Sequence, residues 1–432
     1  MSEILNVDYM HPRDQVALVI SRIYDRGMTT TSGGNISMID EDGDLWITPS
    51  GVDKGSLRPA DIICVKKDGT IEGLHKPSSE YPFHKAIYDM RPDIKAIIHA
   101  HPPALVSFSI VKQIPNTNVI PQAKQICGEV GYAIYDLPGS NQLGDKIGEE
   151  FKKGYMAVIM ENHGTVLGGT DLLDAFQRFE TLELCSATII NSEALGGTHY
   201  LTDEQIQAFH RQVRGQLPEF VPNVMTSEER EQRALICNIV KRACRQGFML
   251  SSYGTVSVRL SNGDILITPT GKSRWNLDPA DIVKIHNGLK ELGKNHSRAL
   301  LIHQQIYDKH AHIKSIIITQ SPYVMAFANS RVHFNVRTIP ESWILLQDVS
   351  QLAFGEHFVN KTTVADTISV NSPAVLIQND SFVVTGGALL QTFDRLEVAE
   401  FSAKSLVLAA PLGKMQPISD EAVEELRKAF LG

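Results

Sequence analysis

The chain has 432 residues, enough for two or three domains, and its 43% hydrophobic and 21% charged residues are the balance of a packed globular protein. A formal charge of -8 without any Lys/Arg block argues against nucleic acid as the partner. No apolar run approaches the ~20 residues needed to span a bilayer, so no membrane is expected.

The opening MSEILNVDYMHPRDQ carries neither a signal core nor a cleavage-site pattern. Five scattered cysteines without a CxxC pair read as reduced thiols of a cytoplasmic protein. RDQVALVISRIYDRG (13–27) has the apolar period of an amphipathic helix closed by a glycine. MIDEDGDLWITP (38–49) and VKKDGTIEG (65–73) read as hairpins. KPSSEYPFHKAIY (76–88) puts Ser78, Ser79 and Glu80 at the start of a helix, with Pro82 in its first turn. AIIHAH (96–101) is a short strand stopped by Pro102 and Pro103, and AVIMEN (157–162) holds another.

The same text then returns. TSGGNIS (31–37) recurs as SSYGTVS (251–257), LWITPSG (45–51) as ILITPTG (265–271), FHKAIYD (83–89) as IHQQIYD (302–308), and FQRFETLE (176–183) as FDRLEVAE (393–400). The offset drifts only from 220 to 217 residues, which is a duplicated domain rather than a solenoid. GQLPEFVPNVMTSEER (215–230), with Pro218 and Pro222, marks the joint; Thr226 and Glu229 have capping-box spacing before a second opening helix at 233–247. We therefore divide the chain into 1–218 and 219–432. LSNGDILITP (260–269) reads as a hairpin with a type I′ turn at Asn262-Gly263. Helical and short-strand patterns alternate in both halves, which implies an α/β class: two tandem sandwiches, each a mostly antiparallel sheet flanked by helices.

His99 and His101 are two apart on a strand, so both imidazoles point to one face and can reach one metal ion. His163 follows another short strand, with Gly164 allowing a tight turn. Three histidines with an open position are the pattern of a catalytic zinc site. Glu80 is a candidate metal-proximal carboxylate, as base, ligand or both; a first-turn glutamate is also favoured by the helix dipole alone. Gly33, Gly34, Asn35, Thr48, Ser50, Gly51, Ser78 and Ser79 form small-residue turns suited to cradling a phosphate, although each alone is an ordinary turn or cap. His84 persists in the copy as His303 and reads as packing. His310 and His312 are also two apart, but among charged residues before a strand, and read as a solvated loop.

SGGN (32–35), TPSG (48–51), SSE (78–80), HAHPP (99–103) and NHG (162–164), in this order, resemble the class II aldolase/adducin superfamily, which includes the L-fuculose-phosphate aldolases. The likeness covers nearly all of the first half, with a weaker version in the second. It implies an α/β/α sandwich made twice, and one Zn2+ per chain, held by His99, His101 and His163, with Glu80 as catalytic base and as a ligand when substrate is absent. It implies a substrate-phosphate pocket of Asn35, Ser50, Gly51, Ser78 and Ser79. The implied reaction forms or cleaves a C–C bond in a small phosphorylated sugar through a metal-stabilised enediolate of dihydroxyacetone phosphate. Sugar-phosphate 4-epimerisation, decarboxylation and dehydration are the family's other reactions, and a non-catalytic adducin-like assembly module is the alternative class. Glutamate after the two serines looks like the aldolases, since the 4-epimerases carry aspartate there. The aldolases' tyrosine from a neighbouring subunit has no counterpart in VIPQAKQICG (119–128): Pro121 stands near its place, and Tyr132 and Tyr135 are out of register. The likeness also implies a homo-oligomer, here a dimer of chains forming a pseudo-four-fold ring, with Arg298, Arg274 and Trp275 as residues a silent half could lend.

In the copy His99 has become Ile318, His101 Gln320, His163 Asp380, Glu80 Ala299, Asn35 Thr255 and Ser79 Arg298. No zinc site is expected there, and residues 219–432 read as a structural partner.

Overall fold

The computed structural model describes residues 7–212 and 215–431. Two compact units emerge, the first of residues 1–117 and 122–187, the second of 118–121 and 188–432. In the first, β1 (Asn35–Ile39), β2 (Leu45–Ile47), β3 (Ile63–Val65), β4 (Ile71–Glu72), β5 (Ala96–Ala100), β6 (Gly131–Ala133), β7 (Ala157–Met160) and β8 (Thr165–Gly169) lie in the order β4-β3-β2-β1-β5-β8-β7-β6. Only β6 and β7 run parallel. The helices are α1 (Pro12–Asp25), α2 (Tyr81–Met90), α3 (Pro103–Ile110), α4 (Pro121–Cys127), α5 (Asn141–Lys152) and α6 (Leu172–Ala194).

Phe83, Ile87 and Tyr88 of α2 and Leu143, Ile147 and Phe151 of α5 cover one sheet face, against Leu45, Ile47, Ile63, Ile97, Val158 and Val166. The alternation expected of β5 holds: Ile97 enters this core, while α1 packs on β1 and β2. In the second unit β9 (Glu219–Phe220), β10 (Thr255–Arg259), β11 (Ile265–Ile267), β12 (Val283–His286), β13 (Leu289–Glu291), β14 (Ser315–Thr319), β15 (Val349–Leu352), β16 (Ala374–Ile377) and β17 (Ser381–Gly386) take the order β15-β16-β17-β14-β10-β11-β12-β13-β9. This is the first sheet again, with β9 added in parallel at one edge.

The repeated FxRxExxE motif has one job in both copies. Arg178 donates to the Ile126 carbonyl, and Arg395 to that of Leu345. Glu180 pairs with Arg26 at 2.6 Å, and Glu397 with Arg242 at 2.9 Å, tying each long helix to an opening helix. Glu183 accepts from the N–H groups of Ala104 and Leu105 at 3.1 and 3.0 Å, and Glu400 from those of Tyr323 and Val324 at 2.9 Å each. Each carboxylate therefore satisfies free donors at the N-terminus of the helix that follows the β5 or β14 strand.

Two local expectations change. At Asn262-Gly263 only the glycine has positive φ (90°), so the turn is not type I′; the Asn262 side chain instead accepts from Asp264 N–H at 3.0 Å. The type I′ pair is Asn287-Gly288, with φ of 49° and 77°. Thr226 caps its helix by accepting from Glu229 N–H, but the Glu229 side chain turns inward to Arg233 and Lys284 and does not close a capping box.

The joint expected at 218/219 falls inside the second compact unit, which takes in 118–121 and the chain from 188 onward. Val119 O accepts from the buried side chains of Asn329 (3.1 Å) and Asn379 (2.9 Å), His199 N–H donates to Asn329 O, and Ser192 Oγ donates to Ala326 O. These bonds carry 118–121 and the chain after 187 into the second unit.

Candidate metal and substrate site

His99 is the penultimate residue of β5 and His101 follows the strand, while His163 lies in the tight turn from β7 to β8. The left-handed residue of that turn is Asn162 (φ 53°), not Gly164. Gly164 is needed for a different reason: a Cβ there would lie 2.6 Å from both Ala100 O and His101 Cδ2. A Cβ on Gly33 would meet His101 Nδ1 at 2.8 Å, and one on Gly34 (φ 71°) would meet His99 O at 2.8 Å. The SGGN turn and the NHG turn thus close on the histidines from two sides.

The three imidazoles converge. Their ligand nitrogens all lie within 4.8 Å of one another, the only such His/Cys/Asp/Glu group among the described residues. His99 Nδ1–H donates to the Thr165 carbonyl at 2.9 Å, so its Nε2 faces inward, 3.1 Å from His101 Nε2. Glu80 closes the fourth side, with Oε2 3.2 Å from His99 Nε2 and Oε1 3.7 Å from His163 Nε2. Glu80 Oε1 is buried and has no hydrogen bond. Two facing ring nitrogens and an orphaned carboxylate oxygen fit a cation with bonds of about 2.0–2.1 Å, for which tetrahedral ligands stand ~3.3 Å apart.

Burial opposes ionisation of Glu80, but the neighbouring His99 overrides it and holds the carboxyl well below the usual range. His99 is correspondingly raised: burial works against its charge, and Glu80 prevails. Burial and the repulsion of His99 push His101 down to about 3 and His163 to about 4, so both stay neutral.

The phosphate-cradle candidates differ in exposure and in what already holds them. Ser50, Gly51 and Ser79 are exposed, and Ser78 is buried. Ser79 makes no cap, because α2 starts without a side-chain N-cap bond; Ser78 Oγ accepts from Glu80 N–H at 3.3 Å. Thr48 is occupied elsewhere, its hydroxyl accepting from Ile36 N–H at 3.1 Å. Asn35 is largely committed to the carboxylate, donating from Nδ2 to Glu80 Oε2 at 2.7 Å.

His84, read from sequence as packing, is buried and bonded to Asn35 Oδ1 through Nε2 and to Ser37 Oγ through Nδ1, and Ser37 Oγ also meets Tyr88 OH. Sequence reasoning missed Ser37, Tyr88 and Thr165 altogether. The signal for the first two was present: Ser257 and Tyr307 stand at the same places in the copy.

In the second unit the site has become something else. Gln320 Nε2 donates to Asp380 O at 3.0 Å, His357 Nε2 lies 3.2 Å from Asp380 Oδ2, and the Arg298 guanidinium stacks 4.2 Å from the Phe209 ring centroid. His310 bonds the Ala365 carbonyl at 2.8 Å, and the His310 and His312 rings lie 5.8 Å apart without converging on a third ligand. Arg274 is buried and donates to the carbonyls of Gly254, Pro269 and Lys272.

No helix among the described residues is long and apolar enough to cross a membrane. The sequence model of the Class II Aldolase and Adducin N-terminal domain matches residues 14–190 and again 234–407. The chain is 31% identical over 188 residues to 3-oxo-tetronate 4-phosphate decarboxylase of Haemophilus influenzae, covering 43% of this chain and 89% of that protein. It is 30% identical over 207 residues to 5-deoxy-D-ribulose 1-phosphate aldolase of Bacillus thuringiensis (47% and 95%) and 37% identical over 175 residues to L-fuculose phosphate aldolase of Methanocaldococcus jannaschii (40% and 91%). Among solved structures, YgbL from Escherichia coli superposes with a TM-score of 0.42 at 31% identity, covering 45% of this chain and 95% of that one. With two matched segments that together span most of its length, the chain belongs to the class II aldolase and adducin family and carries that family's domain twice.

Proposed function

We propose that this protein is a metal-dependent lyase that forms or cleaves a C–C bond in a small phosphorylated sugar. The observation that carries the reading is the convergence of His99, His101, His163 and the anionic Glu80, with Ser78 and Ser79 directly before Glu80 in the chain. A divalent ion held by the three imidazoles, zinc by the preference of such donors, supplies Lewis-acid polarisation of a substrate carbonyl. Ser50, Gly51, Ser78 and Ser79 hold the phosphate, which places the reacting carbon without further loss of freedom. Glu80 takes the proton from the carbon or hydroxyl next to the carbonyl; its unbonded Oε1 is the basic atom.

Decarboxylation of a 3-oxo sugar-acid phosphate is the second reading. It uses the same groups, and it is favoured by the name of one relative and by Pro121 standing where the aldolases' tyrosine is expected. Metal-loaded protein incubated with dihydroxyacetone phosphate and short aldehydes, with ketose 1-phosphates, and with 3-oxo acid phosphates separates the two. Bond formation or cleavage supports the aldolase, and carbon dioxide release supports the decarboxylase. Absence of both in zinc-loaded protein refutes the C–C lyase reading and leaves 4-epimerisation, dehydration or the assembly module.

We also propose that two chains associate. Asn379 and Asn162 occupy the same turn, both at φ 53°. Asn379 Nδ2 is bonded to Val119 O at 2.9 Å and His199 O at 2.8 Å, whereas the Asn162 side chain is exposed. A second copy supplies the equivalent carbonyls, those of Thr338 and Gln416. A solution mass of one chain at micromolar concentration would refute this.

A further inference from the structure

A single line of hydrogen bonds runs from the core to the carboxylate: Tyr88 OH to Ser37 Oγ (2.7 Å), Ser37 Oγ to His84 Nδ1 (2.7 Å), His84 Nε2 to Asn35 Oδ1 (2.5 Å), and Asn35 Nδ2 to Glu80 Oε2 (2.7 Å). Its direction is forced from the far end. An ionised carboxylate only accepts, so the Asn35 amide must face it with N–H and must present its oxygen to His84. His84 then donates from Nε2, its Nδ1 accepts from Ser37, and Ser37 accepts from Tyr88. His84, Ser37 and Asn35 are buried, so none of these bonds is exchanged for water.

The copy supplies the comparison. Tyr307, Ser257 and His303 repeat the first links at 2.7 and 2.6 Å. Thr255 stands in place of Asn35 and pairs with Ser297 instead, and Ala299 stands in place of Glu80. His303 Nε2 is left buried without a hydrogen bond. The Tyr–Ser–His part therefore forms without any active site, and only the first domain connects it to a reacting group.

We propose that His84 is a positioning residue: by fixing the Asn35 amide it aims the Glu80 carboxylate, leaving Oε2 held and Oε1 free for chemistry. This rests on the reading of Glu80 as the base. Without its His84 bond the Asn35 amide is anchored at one end only, by Glu80, so amide and carboxylate can shift together and Oε2 is no longer held in one place.

The test pairs His84→Leu with His303→Leu, which remove the same buried donor from the two domains. Each is followed by thermal unfolding, by turnover, and by the visible absorption of the cobalt-substituted protein, which reports the ligand field at the His99/His101/His163 centre. Comparable losses of stability are expected from both. Only His84→Leu should lower kcat, by about tenfold, the weight of one hydrogen bond, with KM within about twofold, and only it should shift the cobalt spectrum. His84→Gln, which can donate to Asn35 and accept from Ser37, should recover most of the rate. If His84→Leu does not fold, Tyr88→Phe serves, with an expected two- to fivefold loss in kcat that Tyr307→Phe does not share. Equal effects of the paired substitutions on rate and spectrum, or no effect of either, would overturn the proposal. If wild-type protein turns over no phosphorylated substrate, the lyase reading fails, while the cobalt spectrum still decides whether His84 aims Glu80.

Discussion

Glu183 offers a measurable handle on the fold. Its carboxylate reaches the two free N–H groups at the start of α3, and burial pushes its pKa up from 4.5 to about 7 in spite of those donors and Arg26. The folded state therefore binds a proton between about pH 4.5 and 7 that the unfolded chain has released, so stability falls as pH rises through that window and is flat above it. At ~1.4 kcal/mol per pH unit the ceiling is roughly 3 kcal/mol; the side chain is only half-buried, and water brings the expectation down to about 1–2 kcal/mol. Glu183→Gln keeps an acceptor for the α3 donors and removes the titration. Urea midpoints measured from pH 5 to 8 should show the variant gaining on wild type by that amount as pH rises. Glu400, buried at the matching position with its pKa also raised, should respond in the same direction in a Glu400→Gln protein. A stability difference that does not vary with pH, or a variant that loses ground as pH rises, would refute the reasoning.

Other outcomes follow from the same geometry. Gly164→Ala sets a methyl against Ala100 O and the His101 ring at 2.6 Å, and should cost about 1–3 kcal/mol and lower metal retention on dialysis. Ile97→Ala and Ile316→Ala each empty a fully buried site on equivalent strands, and should each cost about 2–5 kcal/mol in unfolding experiments. Metal analysis should show His99→Ala losing the bound ion and the double variant His310→Ala/His312→Ala keeping it, since His310 is tied to a carbonyl.

What could be read from the chain alone was whatever it spells twice or spaces locally. HAH, the strand before His163 and the repeated hairpins follow from side-chain alternation and turn residues within a few positions. Comparison of the halves pointed to Glu80 and the histidines by their loss. The same comparison read His84, which survives as His303, as packing; it is buried, but its bond to Asn35, 49 residues away in sequence, has no local signal. The role of Gly164 was assigned to backbone freedom, but it depends on where the Ala100 carbonyl passes, which no local pattern encodes. Asn262-Gly263 misled because the Asn262 side chain competes with the backbone for the same turn.

The bonds from Asn329 and Asn379 to the chain around Val119 and His199 bear on how such a protein can evolve. The two amides are almost fully buried, and their acceptors belong to the earlier copy of the duplicated text. Residues 219–432 expressed alone would bury those amides unpaired or open them to water. Such a dependence works as a one-way ratchet: the second copy can change at the positions of His99, His101 and His163 and still need carbonyls of the first copy to satisfy its own buried amides.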